Sequence, residues 1–192
     1  MKANRLEAFT DGVIAIIITI TVLELPVPRH ADLASLRAEA PILLAYVLSF
    51  VNVGIYWNNH HHLLHATDRI DGSVLWANMF MLFWMSLAPW VIRWLDETSF
   101  AAMPTAAFGL VFGMTAIGYL WTQSRIIAVN GAQSAVGRAV GSDLKGKLSL
   151  AAYFSAMLLA FAAPWIAGLI YVGIAIAWLI PDRRIEHELT RS

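Results

Sequence analysis

Long apolar runs broken by short polar stretches dominate the chain, and their length, more than their period, sets the fold class. From Val13 to Leu23 no residue is charged, and only Thr19 and Thr21 are polar. A membrane-spanning helix needs about 20 mostly apolar residues. Six segments meet or approach that length: 6–25, 42–64, 73–95, 101–123, 148–163 and 165–180. The last two come from one uncharged run, Leu148 to Ile180. As a single helix that run would reach about 50 Å, against a hydrocarbon core of about 30 Å. Pro164 stands in its middle, so two short helices joined at "AAPWIA" are expected, with a kinked, tilted single span as the alternative. The expected fold class is an all-α membrane protein with six transmembrane helices in one domain, residues 1–192.

Composition supports a bilayer as the solvent. The chain is 59% hydrophobic and 14% charged, where a soluble domain carries roughly 25% charge. There are no cysteines, which excludes disulfides, a thiolate nucleophile and cysteine-based metal sites. Net charge is +0, which argues against nucleic acid as a partner. The lipid bilayer is the expected one.

The placement of positive charge tests the span count. With six spans, the two termini and the loops after spans 2 and 4 share one side. That side holds Lys2, Arg5, Arg69, Arg125, Arg138, Lys145, Lys147, Arg183, Arg184 and Arg191; the other holds Arg29, Arg37 and Arg93. Such a bias places both termini in the cytoplasm and the protein in the cell (inner) membrane. A cleaved signal peptide is not expected, because Glu7 and Asp11 do not suit its basic start and no small-residue cleavage site follows. No internal repeat is visible. The stretch "PVPRHADLASLRAEAP" is expected to hold a short interfacial helix, and the link from Arg125 to Lys147 to be the longest cytoplasmic loop. Gly109 and Gly113 form a small-residue pair expected to let a helix of the same subunit pack close.

Polar groups inside the apolar runs are the candidate functional residues. On span 1, at 100° per residue, Arg5, Phe9, Gly12, Ile16, Ile20 and Leu23 fall on one stripe, with Thr19 at its edge. Asp11 points about 140° away from Ile16 on the same geometry, so carboxylate and aliphatic stripe face different surroundings. A charge at the edge of hydrocarbon calls for partners within the bundle. Span 2 ends in "YWNNHHHLLH", whose His61 and His65 share a face as metal ligands often do. The chain has six histidines in all, His30 and His187 lie elsewhere, and few acidic ligands are near. That is fewer than a membrane di-iron site needs. No metal or other cofactor is expected. Span 3 contains Asn78, which needs a hydrogen-bond partner, and Pro89, which bends or interrupts the helix. Asn78, His60 and Asp11 all fall near the cytoplasmic side, where they are expected to meet and satisfy one another.

These residues bring a resemblance. "RLEAFTDGVIAI" resembles the Arg-x-x-x-Phe-Ser-Asp-Gly signature of the transmembrane protein 175 family of potassium channels, with Thr10 in place of the serine. Trp57-x-x-His60, Asn78 and Pro89 follow in the same order and spacing. The resemblance covers the first half of the chain; beyond it only the number and length of the spans agree. It implies a homotetramer of six-span subunits, permeable to monovalent cations and preferring K+, in which span 1 lines a central pore. The pore constriction maps to Ile16, with Ile20 and Leu23 as further rings and Thr19 as a polar neighbour. Arg5, Phe9, Thr10, Asp11, Trp57, His60 and Asn78 are implied to be a structural polar network outside the pore. Two other classes stand beside the passive channel: a proton-coupled transporter relaying through Asp11 and His60, and a metal-dependent enzyme built on the histidines.

Overall fold

A computed structural model describes residues 3–67, 69–141 and 143–179. Among them every regular element is a helix, and there is no strand. α1 spans Asn4–Leu23, α2 Leu33–Ala38, α3 Ala40–His65, α4 Gly72–Met85, α5 Ala88–Glu97, α6 Ala102–Asn130, α7 Ala135–Val140, α8 Leu144–Leu159 and α9 Pro164–Leu179. Lys2, Arg183, Arg184, Arg191 and His187, which entered the sequence argument, lie outside the described residues, as does the last residue of the segment 165–180.

Four segments are long and apolar enough to cross a membrane: α1, α3, α4 with α5 taken together, and α6. The chain is a multi-pass membrane protein. The third of these is interrupted where Pro89 demanded it: α4 ends at Met85 and α5 restarts at Ala88 with the proline in its first turn, where a missing N–H does no harm. Leu148 to Leu179 forms two helices, α8 and α9, with α9 beginning at Pro164. Each has 16 residues, or about 24 Å, short of the roughly 30 Å hydrocarbon core. The loop after span 1 does contain a short helix, α2, capped by the Asp32 side chain on the Ser35 amide. α6 runs on to Asn130, so the link between α6 and α8 is shorter than the sequence implied and holds the six-residue α7.

α6 is the most buried of the spanning helices and the bundle is arranged around it. α4 lies along one side of it and α8 along another. Glycines permit close approach on these sides. A Cβ at Gly118 would fall 2.6 Å from the Met81 Cα on α4, and one at Gly109 would strike the Tyr171 side chain on α9 and come within 3.2 Å of the Met157 Cβ on α8. Gly109 and Gly113 thus pack within the subunit, as expected. Gly118→Ala should push α4 from α6 and destabilise the protein by about 1–3 kcal/mol, as overpacking of a close contact does. The measurement is the melting temperature in detergent, and an unshifted value would refute so close a crossing.

α1 is peripheral by contrast. It packs against α3, α5 and α4, burying Leu6, Thr10, Ile14, Ile17 and Thr21 at a spacing of three or four residues. A satellite apolar cluster ties its first turn to the ends of α3, α4, α6 and α7 through Leu6, Leu63, Leu64, Val74, Ile126 and Val136. At that end Asp71 caps α4, accepting hydrogen bonds from the Ser73 hydroxyl and the amides of Ser73 and Val74. These bonds, the Ser73 hydroxyl first, hold its carboxyl below the usual aspartate range. The stabilisation is present above that usual range and is lost as pH falls through the lowered value.

Candidate functional site: the uncovered face of helix α1 and the polar anchors behind it

α1 has two faces with opposite fates. The stripe Arg5, Phe9, Gly12, Ile16, Ile20 and Leu23 is exposed along its whole length, with Thr19 beside it. Ile16 is 58% exposed, Ile20 43% and Leu23 80%. The Thr19 hydroxyl donates back to the carbonyls of Ala15 and Ile16, leaving its oxygen's acceptor capacity directed outward from the helix backbone. A groove of about 420 Å³ runs beside the stripe, between α1 and α5, lined by Ile16, Ile20, Glu24, Pro89, Trp90 and Arg93.

The opposite face of α1 is fastened by hydrogen bonds. Asn78 Nδ2 donates to Thr10 Oγ1 at 2.9 Å. Because the amide nitrogen faces Thr10, the amide oxygen faces His60, so His60 Nε2–H donates to Asn78 Oδ1 at 2.8 Å. All three side chains are fully buried, and the relay links α3, α4 and α1. The Asp11 carboxylate does not join it. Its Oδ1 accepts from the Trp57 indole N–H at 2.9 Å. The reason is helical: Thr10 and Asp11 are neighbours, about 100° apart, so one faces α4 and the other α3. One turn earlier, Glu7 Oε1 lies 2.7 Å from His61 Nδ1. Glu7 and Asp11 therefore grip α3 as two rungs, with His61 and Trp57 stacked on one another across the same spacing.

Arg5 and Phe9 are not brought into this network. They lie on the exposed stripe with Ile16, whereas Thr10 is buried on the face toward α4. Glu24, at the other end of α1, is 3.3 Å from Arg93, which also bonds Glu97. Among the described residues no three histidine, aspartate or glutamate side chains converge as metal ligands would.

The family profile described as endosomal/lysosomal potassium channel TMEM175 matches residues 5–89, the segment that holds the stripe and the anchors to α3 and α4. A potassium channel of Chryseobacterium sp. (strain P1-3) is 46% identical over 192 residues, the whole of both chains. The chain belongs to the TMEM175 family. Its fold agrees with that of a solved homolog, from Chamaesiphon minutus, of the lysosomal potassium-selective channel TMEM175. The TM-score is 0.80 at 25% identity, over 93% of this chain and 96% of that one. The mouse endosomal/lysosomal proton channel TMEM175 is 28% identical over 185 residues, which is 85% of this chain and 36% of the mouse protein. Membership makes this TMEM175 relative a cation channel and not an enzyme.

Sequence reasoning missed the Glu7–His61 pair. The signal was present: Glu7 and Asp11 are four apart, as are Trp57 and His61, so two antiparallel helices pair them in reverse order. Also missed were the buried bonds that hold the bundle behind the site, Tyr153 to Asn52, Tyr56 to the Phe112 carbonyl and Tyr171 to the Thr105 carbonyl.

Proposed function

We propose that this protein is a potassium-preferring cation channel, a homotetramer of six-span subunits in which four copies of α1 surround a central pore. The single domain covers residues 1–192, α8 and α9 complete the six spans, and both termini are cytoplasmic in the cell membrane. The observation that carries the reading is the uncovered stripe on α1, continuous from Arg5 to Leu23 while the other face of the same helix is bonded to α3 and α4. A helix that lines a pore must offer such a face, and must be held from behind. The names of the bacterial relatives support potassium as the permeant ion.

In that arrangement four Ile16 side chains form the neck, with Ile20 and Leu23 as wider rings toward the outer mouth. An apolar ring closes a pore by dewetting it, without a plug. Opening follows from a tilt or rotation of α1 as a rigid element. The anchors decide how α1 can move: a pivot at Thr10 and Asp11 leaves the Ile16–Leu23 half free to swing. No filter loop of carbonyls exists in the sequence, so preference among cations arises from partial dehydration at the ring and from the Thr19 oxygens. Asp11, Trp57, His60 and Asn78 are scaffold. Arg5 and Phe9, on the stripe itself, serve contacts between subunits near the cytoplasmic entrance.

Planar-bilayer recording of the purified protein under potassium and sodium gradients tests the proposal. A reversal potential that follows the potassium gradient supports it; a current that follows only a proton gradient, or none, overturns it. Glu24 is a second point of test. Its carboxylate is held by Arg93, so Glu24→Gln should leave the reversal potential unchanged. A clear shift toward zero would place Glu24 in the ion path.

A further inference from the structure

α1 packs against both α3 and α5, and its two flanks differ. At 100° per residue, Val13, Ile17 and Ile20 turn to one side of Ile16, and Asp11, Ala15 and Val22 to the other. The first side looks to α5 across the groove of about 420 Å³, where Pro89 and Trp90 form the facing wall. Trp90 is 55% exposed. Glu24 and Arg93 also line the groove, but they are paired with each other, so what fills it is apolar. The second side leads to α3. There the Trp57 indole donates to Asp11, and Phe50, seven residues earlier, lies on the same stripe of α3 as Trp57. Phe50 is 47% exposed and Val22 43%, and both lie outside the apolar core clusters. The Asp11–Trp57 and Glu7–His61 contacts set α1 and α3 antiparallel. Carried outward at the same rise per residue, that register puts Phe50 about level with Ile18, midway between Ile16 and Ile20.

We infer that the groove of one subunit is filled by Phe50 of the next, with Val22 beside it, a contact that rests on the pore reading and deepens it. Bringing four α1 stripes to one axis turns the α5 flank of each subunit toward the α3 flank of its neighbour. Such a head-to-tail contact closes as a ring. Rotation about the membrane normal leaves depth unchanged, so the side chain that enters must stand at the level of Ile16 to Ile20. Phe50 meets that condition. Its ring lies against the Trp90 indole, and aromatic pairs gain beyond the area they bury when they meet offset or edge-on.

The chain has no cysteine, so introduced thiols crosslink without background. Chains carrying Phe50→Cys and, separately, Trp90→Cys are coexpressed with different tags. Membranes are treated with a short bis-methanethiosulfonate reagent, which spans the gap that the two removed side chains leave. The mixed pair should give a dimer carrying both tags. Each variant expressed alone should give none, because a head-to-tail contact sets different residues against each other. Trp76→Cys, exposed on α4, should not crosslink to Phe50→Cys. Native mass spectrometry of the same samples separates the two ways of failing. A tetramer without the mixed crosslink, or one in which Phe50→Cys crosslinks to itself, overturns the inference and leaves the pore reading standing. Absence of both the tetramer and the crosslink overturns the two together.

Discussion

Ile16→Asn raises potassium flux into liposomes by about tenfold or more, the change expected if the apolar ring adds at least about 1.4 kcal/mol to the barrier for a hydrated ion. The direction follows from wetting. Four branched aliphatic side chains at a neck expel water, and an ion that enters must shed part of its hydration shell with nothing to replace it. Four carboxamides supply oxygens and keep the neck wet. Selectivity should fall as conduction rises, because an ion that keeps its shell is not distinguished by size. Ile16 is more than half exposed in the single subunit and lies outside both apolar core clusters, so the substitution tests the pore and not the fold. The same change at Ile14, which is buried on the opposite face, should destabilise the protein and open nothing. Unchanged flux through a well-folded Ile16→Asn protein would mean that the stripe faces lipid, and the central-pore reading would fall with it.

The two faces of α1 also show what was legible in the sequence. Helical geometry alone separated Asp11 from Ile16 and grouped Arg5, Phe9, Gly12, Ile20 and Leu23 with the latter; the structure leaves that group exposed. The same geometry places Arg5 and Phe9 on the stripe and not among the anchors behind the helix, a distinction the motif resemblance did not make. Pro89 and Pro164 were legible because a missing N–H has one consequence in a helix: α5 and α9 both start at or beside the prolines. Partner choice was not legible. Which of Thr10 and Asp11 faces Asn78 and which faces Trp57 depends on how α1 is rotated against α3 and α4, and that rotation is set by packing of Leu6, Ile14 and Ile17. Periodicity names a face; it does not say what the face touches. The length of α6 was missed for a related reason. The polar residues Thr122 to Arg125 interrupt the apolar run, so the expected span stopped at 123, although Ile126 to Val129 are apolar again. Arg125 bonds Ser73 and Asn130 bonds both the amide and the carbonyl of Arg69, and those contacts hold the helix through to Asn130.

Asn78→Leu should be among the most damaging single substitutions in the chain, lowering stability by about 2–4 kcal/mol. Two effects add. The His60 Nε2–H loses its acceptor, and a buried unsatisfied donor costs about 1–3 kcal/mol. A leucine of different shape must then fit a site with no exposed surface, which adds a packing strain of about 1 kcal/mol or more. Thr10 suffers less, because its hydroxyl can turn to a carbonyl of its own helix. The loss should be partly reversed by a second change, His60→Leu, since removing both members of a buried pair leaves no orphan. Melting temperatures of the two single variants and the double variant decide the matter. A double variant no better than the singles would mean that the relay contributes little as a pair and that shape alone governs the site. Conduction supplies the other half of the test. The relay joins α1 to α4, which lies along α6 at the middle of the bundle. A stable double variant therefore keeps a helical subunit but frees the pivot of α1. Its channels should open more often at an unchanged unitary current, whereas a change in unitary current would move Asn78 from scaffold into the ion path.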